Sequence, residues 1–243
     1  MISRKQVNEF KDKGFTVLKG FIEEKIVKSY KLELDQFIQK NYKNWNGRHI
    51  NKTDTGIINS IHDMGEWERT KELQSSNKTR EVAKVFLNDD PEDFGAELFA
   101  KPAKVGLSSP IHQDNFYWCI DDANAITMWI AMDKAGALNG GVYYYIGSHK
   151  LGLLEHKPSY APGSSQTIKY PNLLESYQRE LPELDPGDCI VHNTLVVHGS
   201  KDNESENDRR GWTIRYKSRS SKIDLQMKRS YEQSLAEQVE SRG

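Results

Sequence analysis

Residues 124–150 read NAITMWIAMDKAGALNGGVYYYIGSHK, and two segments of this stretch decide the fold class. Each is a short run of β-branched, aromatic and aliphatic residues bounded by Asn, Asp or Gly, the pattern of a strand between turns. Side chains two apart on a strand share a face, so Thr127, Trp129 and Ala131 look one way while Ile126, Met128, Ile130 and Met132 look the other. Such a strand lines a pocket with one face and seals a core with the other.

Similar segments recur on both sides: GAELFAK (95–101), SSQTIKY (164–170), GDCIVHN (187–193) and GWTIRYKS (211–218). Many short strands with turn signals between them indicate a closed or sandwiched antiparallel architecture such as a jelly roll. The first ninety residues read mainly as helix. Ser3 offers an N-cap and Gly14 a stop, FTVLKG (15–20) reads as a short strand, and Ile22, Ile26, Val27, Tyr30, Leu34 and Phe37 recur at helical spacing. A further helix, in one or two pieces, is expected over 67–87. Residues 41–64 have no clear period and are rich in Asn, Gly and Thr, so they read as a loop, a candidate cover for the barrel mouth. The last dozen residues are charged and read as a frayed helix or disordered tail.

The expected fold is therefore mainly β with flanking helices: a double-stranded β-helix (jelly roll, cupin-like) core buttressed by N-terminal α-helices. The whole chain, 1–243, reads as one domain, with a helical part over about 1–90, a jelly-roll core over about 94–220 and a charged tail over about 221–243. No repeat or low-complexity linker argues for a cut.

With 34 basic and 35 acidic residues the formal net charge is -1, which excludes a broad electrostatic footprint for nucleic acid or anionic lipid. A small-molecule partner is expected, with no nucleic acid and no membrane; oligomeric state is not legible. Cys119 and Cys189 are too few for a disulfide framework and read as buried thiols. The N-terminus lacks an apolar stretch of signal-peptide length and no run of about 18 apolar residues occurs, so a cytoplasmic location is expected.

Chemistry concentrates in HQD (112–114). On a strand His112 and Asp114 would reach one point in space while Gln113 faces away. A third ligand must come from another strand, and His198, at the end of an apolar run, is the best candidate. Two imidazoles and one carboxylate leave other positions of an octahedral ion open, which suits non-haem Fe(II) and a chelating cosubstrate. His-x-Asp alone is a weak signal in a chain with 7 His and 35 acidic residues. What strengthens it is Arg209, 11 positions past His198 at the start of a strand, where a guanidinium can hold a carboxylate through paired hydrogen bonds. Arg210 competes for that role, and strand parity decides between them.

HQDNFYW (112–118), TMWIAMDKAGALNGGVYYYIGSHKLGLLEH (127–156), LDPGDCIVHNTLVVHGSKDN (184–203) and RRGWTIRY (209–216) resemble, in order, successive blocks of the phytanoyl-CoA dioxygenase-like family of Fe(II)/2-oxoglutarate-dependent oxygenases. FKDKGFTVLKGFI (10–22) is similar to that family's N-terminal helix and strand. The resemblance implies that His112, Asp114 and His198 bind Fe(II), that Arg209 and Ser200 hold the distal carboxylate of 2-oxoglutarate, that Trp129 borders this cosubstrate and that Lys101 stands near the site. It also implies that Tyr117 and Trp118 lie on the substrate side, and that dioxygen is consumed with release of succinate and CO2 as a C–H bond is hydroxylated. The intact Asp114 disfavours halogenation. Tyr143, Tyr144 and Tyr145 stand where relatives commonly carry a proline before the Gly-Ser-His turn, which puts an inherited substrate in doubt; a small polar metabolite is the preference.

Bland alternatives accompany each of these. Trp129 also reads as core packing, and Tyr117 and Trp118 as a structural cap over the barrel mouth. His149 and His192 read as partners of ligands or as structural residues, and His49 and His62 as structural. At the level of function the rivals are a Zn(II) hydrolase and a non-catalytic metal-binding jelly-roll module.

Overall fold

The computed structural model describes residues 2–45, 49–52, 56–161 and 164–240. In chain order the elements are α1 (Arg4–Lys13), β1 (Phe15–Leu18), α2 (Glu24–Asn41), β2 (Ile50–Lys52), β3 (Ile58–His62), α3 (Glu68–Ser75) and α4 (Asn77–Leu87). There follow β4 (Pro91–Lys101), β5 (Ser109–His112), α5 (Asn115–Trp118), β6 (Ala125–Ala131), β7 (Val142–Tyr145), β8 (His156–Ala161), β9 (Ser164–Ile168) and β10 (Arg179–Glu180). The chain closes with β11 (Cys189–Asn193), β12 (His198–Ser200), β13 (Arg209–Ser218) and α6 (Leu225–Glu240).

A seven-stranded sheet of order β1-β11-β6-β13-β4-β3-β2 faces a four-stranded sheet of order β10-β7-β12-β5, and β8 and β9 form a separate hairpin. Every pairing is antiparallel. The two sheets meet where Phe15 stacks on Tyr144, ring centroids 4.4 Å apart. This is the jelly roll that the strand pattern predicts.

The alternation in β6 is realised as read: all seven of its residues are buried, because each face has its own core. Ile126, Met128 and Ile130 pack outward with Trp212, Ile214, Tyr216, Val27 and Leu34 under the N-terminal helices. Trp129 and Ala131 pack inward with Phe15, Tyr144, Ile190 and Val196 between the sheets. Burying each large apolar side chain contributes roughly 1.5–3 kcal/mol, so the helices that cover the outer face are integral to the fold.

Helix boundaries follow their caps. Ser3 and Gln6 form a reciprocal capping box, and Gly14 ends α1 at φ 88, where a Cβ would lie 2.6 Å from His149 Nδ1. Ser76 divides the expected third helix into α3 and α4, its Oγ accepting from the Thr79 amide.

Two expectations need correction. Residues 41–64 are not simply a loop: among those described, β2 and β3 form a hairpin whose inner strand pairs with β4 and extends the large sheet, while 46–48 and 53–55 lie outside the described residues. The strands are short and Asn-rich, so their pattern is masked, and main-chain pairing with β4 supplies the stability that propensity does not. The first ninety residues therefore contribute three strands as well as helices. The tail takes the helical of its two expected forms, with α6 docking Tyr231 against Phe116 and Tyr117 at centroid separations of 6.1 and 5.5 Å; residues 241–243 lie outside the description.

Candidate active site

Local backbone bends bring the HQD residues together by a route unlike the expected straight strand. His112 ends β5, and the chain then turns, so that Asp114 sits at φ -58, ψ -36 immediately before α5. Gln113 is buried and locks the bend: its Nε2 donates to the carbonyls of Gly152 and Leu195 at 2.8 and 2.6 Å. His198 likewise does not end an apolar strand. The strand ends at Asn193, and after a turn His198 begins β12 in the opposite sheet, in register with His112.

The outcome is a compact donor set. One ligand atom from each of His112, Asp114 and His198 lies within 4.8 Å of the others. Asp114 Oδ1 stands 3.7 Å from His112 Nε2 and 3.6 Å from His198 Nε2. The His112 Nδ1–H donates to the Pro110 carbonyl at 2.7 Å and that of His198 to the Val196 carbonyl at 3.0 Å. Both rings therefore carry their proton on Nδ1 and turn the Nε2 lone pair to the common centre.

The second carboxylate oxygen is held from behind. Thr127 Oγ1 donates to Asp114 Oδ2 at 2.7 Å, and His192 Nε2 approaches it at 3.0 Å. Tyr144 OH in turn meets His192 Nδ1 at 3.0 Å. Burial opposes charge on Asp114, yet the His198 imidazole, the hydrogen bond from His192 and the nearby His112 outweigh it and hold the carboxyl well below its usual range. Burial lowers the His112 pKa and takes that of His198 to about 3. A carboxylate beside two neutral imidazoles is the protonation state that a divalent ion requires.

Parity separates the two arginines. Arg210 points out of the sandwich and is engaged by Asp133, its Nε 2.9 Å from Oδ2. Arg209 points inward and is 2% exposed. Its guanidinium lies 5.4 Å from the Trp129 ring centroid; among the described residues its Nε has no hydrogen-bond partner, and its one hydrogen bond is a long contact from Nη1 to the Phe99 carbonyl, 3.5 Å. Burial lowers its pKa to about 10. A buried, unneutralised guanidinium is costly unless a ligand supplies the anion. The close fit of Trp129 requires Gly211, where a Cβ would fall 1.9 Å from its ring.

Lys101, in register with Arg209 on β4, is 3% exposed. Its Nζ donates to the carbonyls of Leu107 and Lys201 at 2.5 and 2.6 Å, and burial, aided by the charge of Arg209, lowers its pKa to about 6. Ser200 is buried two residues beyond His198. The aromatic pair divides: Tyr117 presents its ring edge-on to His112, centroids 5.6 Å apart, whereas Trp118 packs with Ile120, Ala125 and Phe94. His149 donates to the Lys11 carbonyl of α1.

Sequence reasoning missed a polar row on the inner face of the large sheet. Glu97 on β4 lies in register with His62 on β3, its Oε1 2.7 Å from His62 Nδ1 and its Oε2 3.4 Å from Arg215 Nη1. The signal was present in GAELFAK, where Glu97 shares parity with Phe99 and Lys101. Burial works against the Glu97 charge, but Arg215 and the His62 hydrogen bond bring its pKa down to about 2 from 4.5. A depressed carboxyl pKa stabilises the fold above the unfolded value, and that contribution is lost as pH falls through the folded value. Acid titration should therefore remove about 3 kcal/mol between about pH 4.5 and 2 in the wild type and markedly less in Glu97→Gln; parallel acid-unfolding curves would refute this.

Comparisons with known proteins give the family and the fold. The family model described as phytanoyl-CoA dioxygenase matches residues 10–211. The rat peroxisomal phytanoyl-CoA dioxygenase is 21% identical over an alignment covering 98% of this chain and 75% of the relative. A probable phytanoyl-CoA dioxygenase of Caenorhabditis elegans is 28% identical over 60% of this chain and 46% of its own length, so the chain spans under half of that relative. Among solved structures, EctD from S. alaskensis with 2-oxoglutarate and 5-hydroxyectoine superposes with a TM-score of 0.76 at 19% identity, covering 92% of this chain and 78% of that one. EvdO2 from Micromonospora carbonacea var. aurantiaca complexed with 2-oxoglutarate gives 0.70 at 19% identity, covering 93% and 94%. Among the described residues no helix is long and apolar enough to cross a membrane.

Proposed function

The chain belongs to the phytanoyl-CoA dioxygenase family, and from that premise we propose that it is an Fe(II)- and 2-oxoglutarate-dependent oxygenase that hydroxylates a C–H bond of a small molecule. The observation that carries this reading is the pairing of the His112, Asp114 and His198 donor set with the buried, unneutralised guanidinium of Arg209 inside the same sandwich. A zinc hydrolase or a bare binding module would leave that arginine without a purpose.

Ferrous iron with 2-oxoglutarate and dioxygen supplies the oxidising chemistry, and the balance is one substrate, one 2-oxoglutarate and one dioxygen giving hydroxylated substrate, succinate and carbon dioxide. The protein's share is placement and exclusion of water. His112 and His198 offer lone pairs already aimed by their backbone hydrogen bonds, and Asp114 offers Oδ1 while Thr127 and His192 hold Oδ2. Arg209 receives the distal carboxylate of the cosubstrate with help from the Ser200 hydroxyl, and Trp129 forms the flat wall beside it. Lys101 acts at one remove, pinning the 107 and 201 carbonyls around the Arg209 end of the pocket.

Anaerobic addition of Fe(II) and then 2-oxoglutarate to metal-free protein tests this reading. The expected result is a visible metal-to-ligand charge-transfer band that needs both additions. Tight metal binding with no such band would overturn it.

A further inference from the structure

The mechanism above leaves the largely buried cation Arg215 unused. Arg215 lies six residues past Arg209 on β13, with the bulge of that strand falling only after it, so both side chains enter the sandwich on the same face. It is in register with Thr127, the residue whose hydroxyl holds Asp114. The side chain of Arg215 therefore stands one strand away from the anchor of the metal-binding carboxylate.

Its surroundings repeat those of Arg209. The guanidinium lies over an indole, 5.2 Å from the Trp118 centroid, with Phe94 at 5.9 Å. Among the described residues it makes no hydrogen bond: its Nε is buried without a partner, and the closest anion, Glu97 Oε2, is 3.4 Å from Nη1. Glu97 is itself shared, because its other oxygen is taken by His62. Space for the group is reserved by Gly95 at φ +117, where a Cβ would lie 2.6 Å from Nη2. A structural ion pair of two buried groups normally closes to a bidentate fork with short hydrogen bonds. Arg215 is instead stacked and countered by a single oxygen of a shared carboxylate at 3.4 Å, with side-chain exposure of 16%.

We propose that Arg215, on its Trp118 platform, is the anion-recognising group of the primary-substrate subsite, and that the substrate presents to it a carboxylate or another anionic oxygen group such as phosphate. The assignment rests on the oxygenase reading for what happens at the iron, but not for the binding itself. Glu97 acts as the resident counter-ion, shared with His62, that the substrate anion displaces from the guanidinium. Specificity then comes from leaving five N–H donors underused when the anion is missing, which discriminates more sharply than apolar contact does.

The test is calorimetric titration of the full chain with butyrate, butyl phosphate, butyramide and butylamine, both metal-free and anaerobically with Fe(II) and 2-oxoglutarate. Butyrate or butyl phosphate should bind about tenfold more tightly than the isosteric amide, the size expected for a charge-assisted hydrogen bond, and their ratio tells carboxylate from phosphate. Arg215→Met should remove the preference and Arg215→Lys should restore part of it. Glu97→Gln should strengthen anion binding several-fold by removing the competitor. This last variant carries the test even where Arg215→Met fails to fold.

Equal binding of acid and amide, a preference that survives Arg215→Met, or tightest binding of butylamine with its loss in Glu97→Gln would each overturn the proposal. The two readings separate cleanly. A charge-transfer band without anion preference leaves the oxygenase standing and removes the Arg215 subsite, whereas an Arg215-dependent preference without the band does the reverse.

Discussion

His112→Ala should abolish the charge-transfer band that Fe(II) and 2-oxoglutarate develop together, and should weaken Fe(II) binding by about a hundredfold or more. Loss of residues that merely support a ligand costs about 10–100-fold in metal affinity, and His112 supplies a donor atom directly. The fold should tolerate the change. His112 sits at the end of β5, and among the described residues its one side-chain hydrogen bond is to the Pro110 carbonyl two residues away. Thermal melting with and without Fe(II) distinguishes lost binding from lost structure: ligand that binds only the native state raises the melting temperature, so the wild type should shift and the variant should not. A variant that keeps the band and the shift would remove His112 from the site.

Arg209→Met should have two opposite effects, and the pair is more telling than either. The apparent affinity for 2-oxoglutarate should fall by about a hundredfold, corresponding to charge-assisted hydrogen bonds worth about 3 kcal/mol. The free protein should become more stable. Burial lowers the Arg209 pKa from 12.5 to about 10, and for a base a depressed folded value means that the charged form is disfavoured in the fold throughout the pH range below that value. The charge therefore costs on the order of 3 kcal/mol at neutral pH, which an unbranched apolar side chain avoids. A residue kept for stability alone would show the opposite sign. Unchanged cosubstrate affinity, or a destabilised free protein, would contradict the assignment.

The strands that build the core were legible because each buries two different faces. The parity of AITMWIA sorts Trp129 from Met128 without any structure, and that of RRGWTIRY sets Arg209 and Arg210 on opposite faces, but which of the two faces inward came only from the structure, where Arg210 is engaged by Asp133. The ligand types were legible for a chemical reason, as two imidazoles and a carboxylate suit few ions. Their local geometry was not. The bend at Gln113 depends on acceptors at Gly152 and Leu195, some 40 and 80 positions away, and no local pattern encodes a partner so distant. His192 was legible as a partner of the ligands, but that it supports Asp114 follows from a register across β11 and β6; the short strands within 50–62 were not legible, because their stability comes from β4 rather than from their own residues.

The length of β13 carries a consequence for what the site can accept. This strand is bonded on both flanks, to β4 over its whole length and to β6 from Gly211 to Lys217. The Cα atoms of Arg209 and Arg215 are thus set ~20 Å apart by the rise of an extended chain, with no hinge between them. The strand works as a gauge block: the span between its two guanidinium-bearing positions does not stretch or shorten to suit an occupant. With the cosubstrate carboxylate on Arg209 and the substrate anion on Arg215, as proposed, the separation between the anchored ends of the two bound molecules is fixed by the strand.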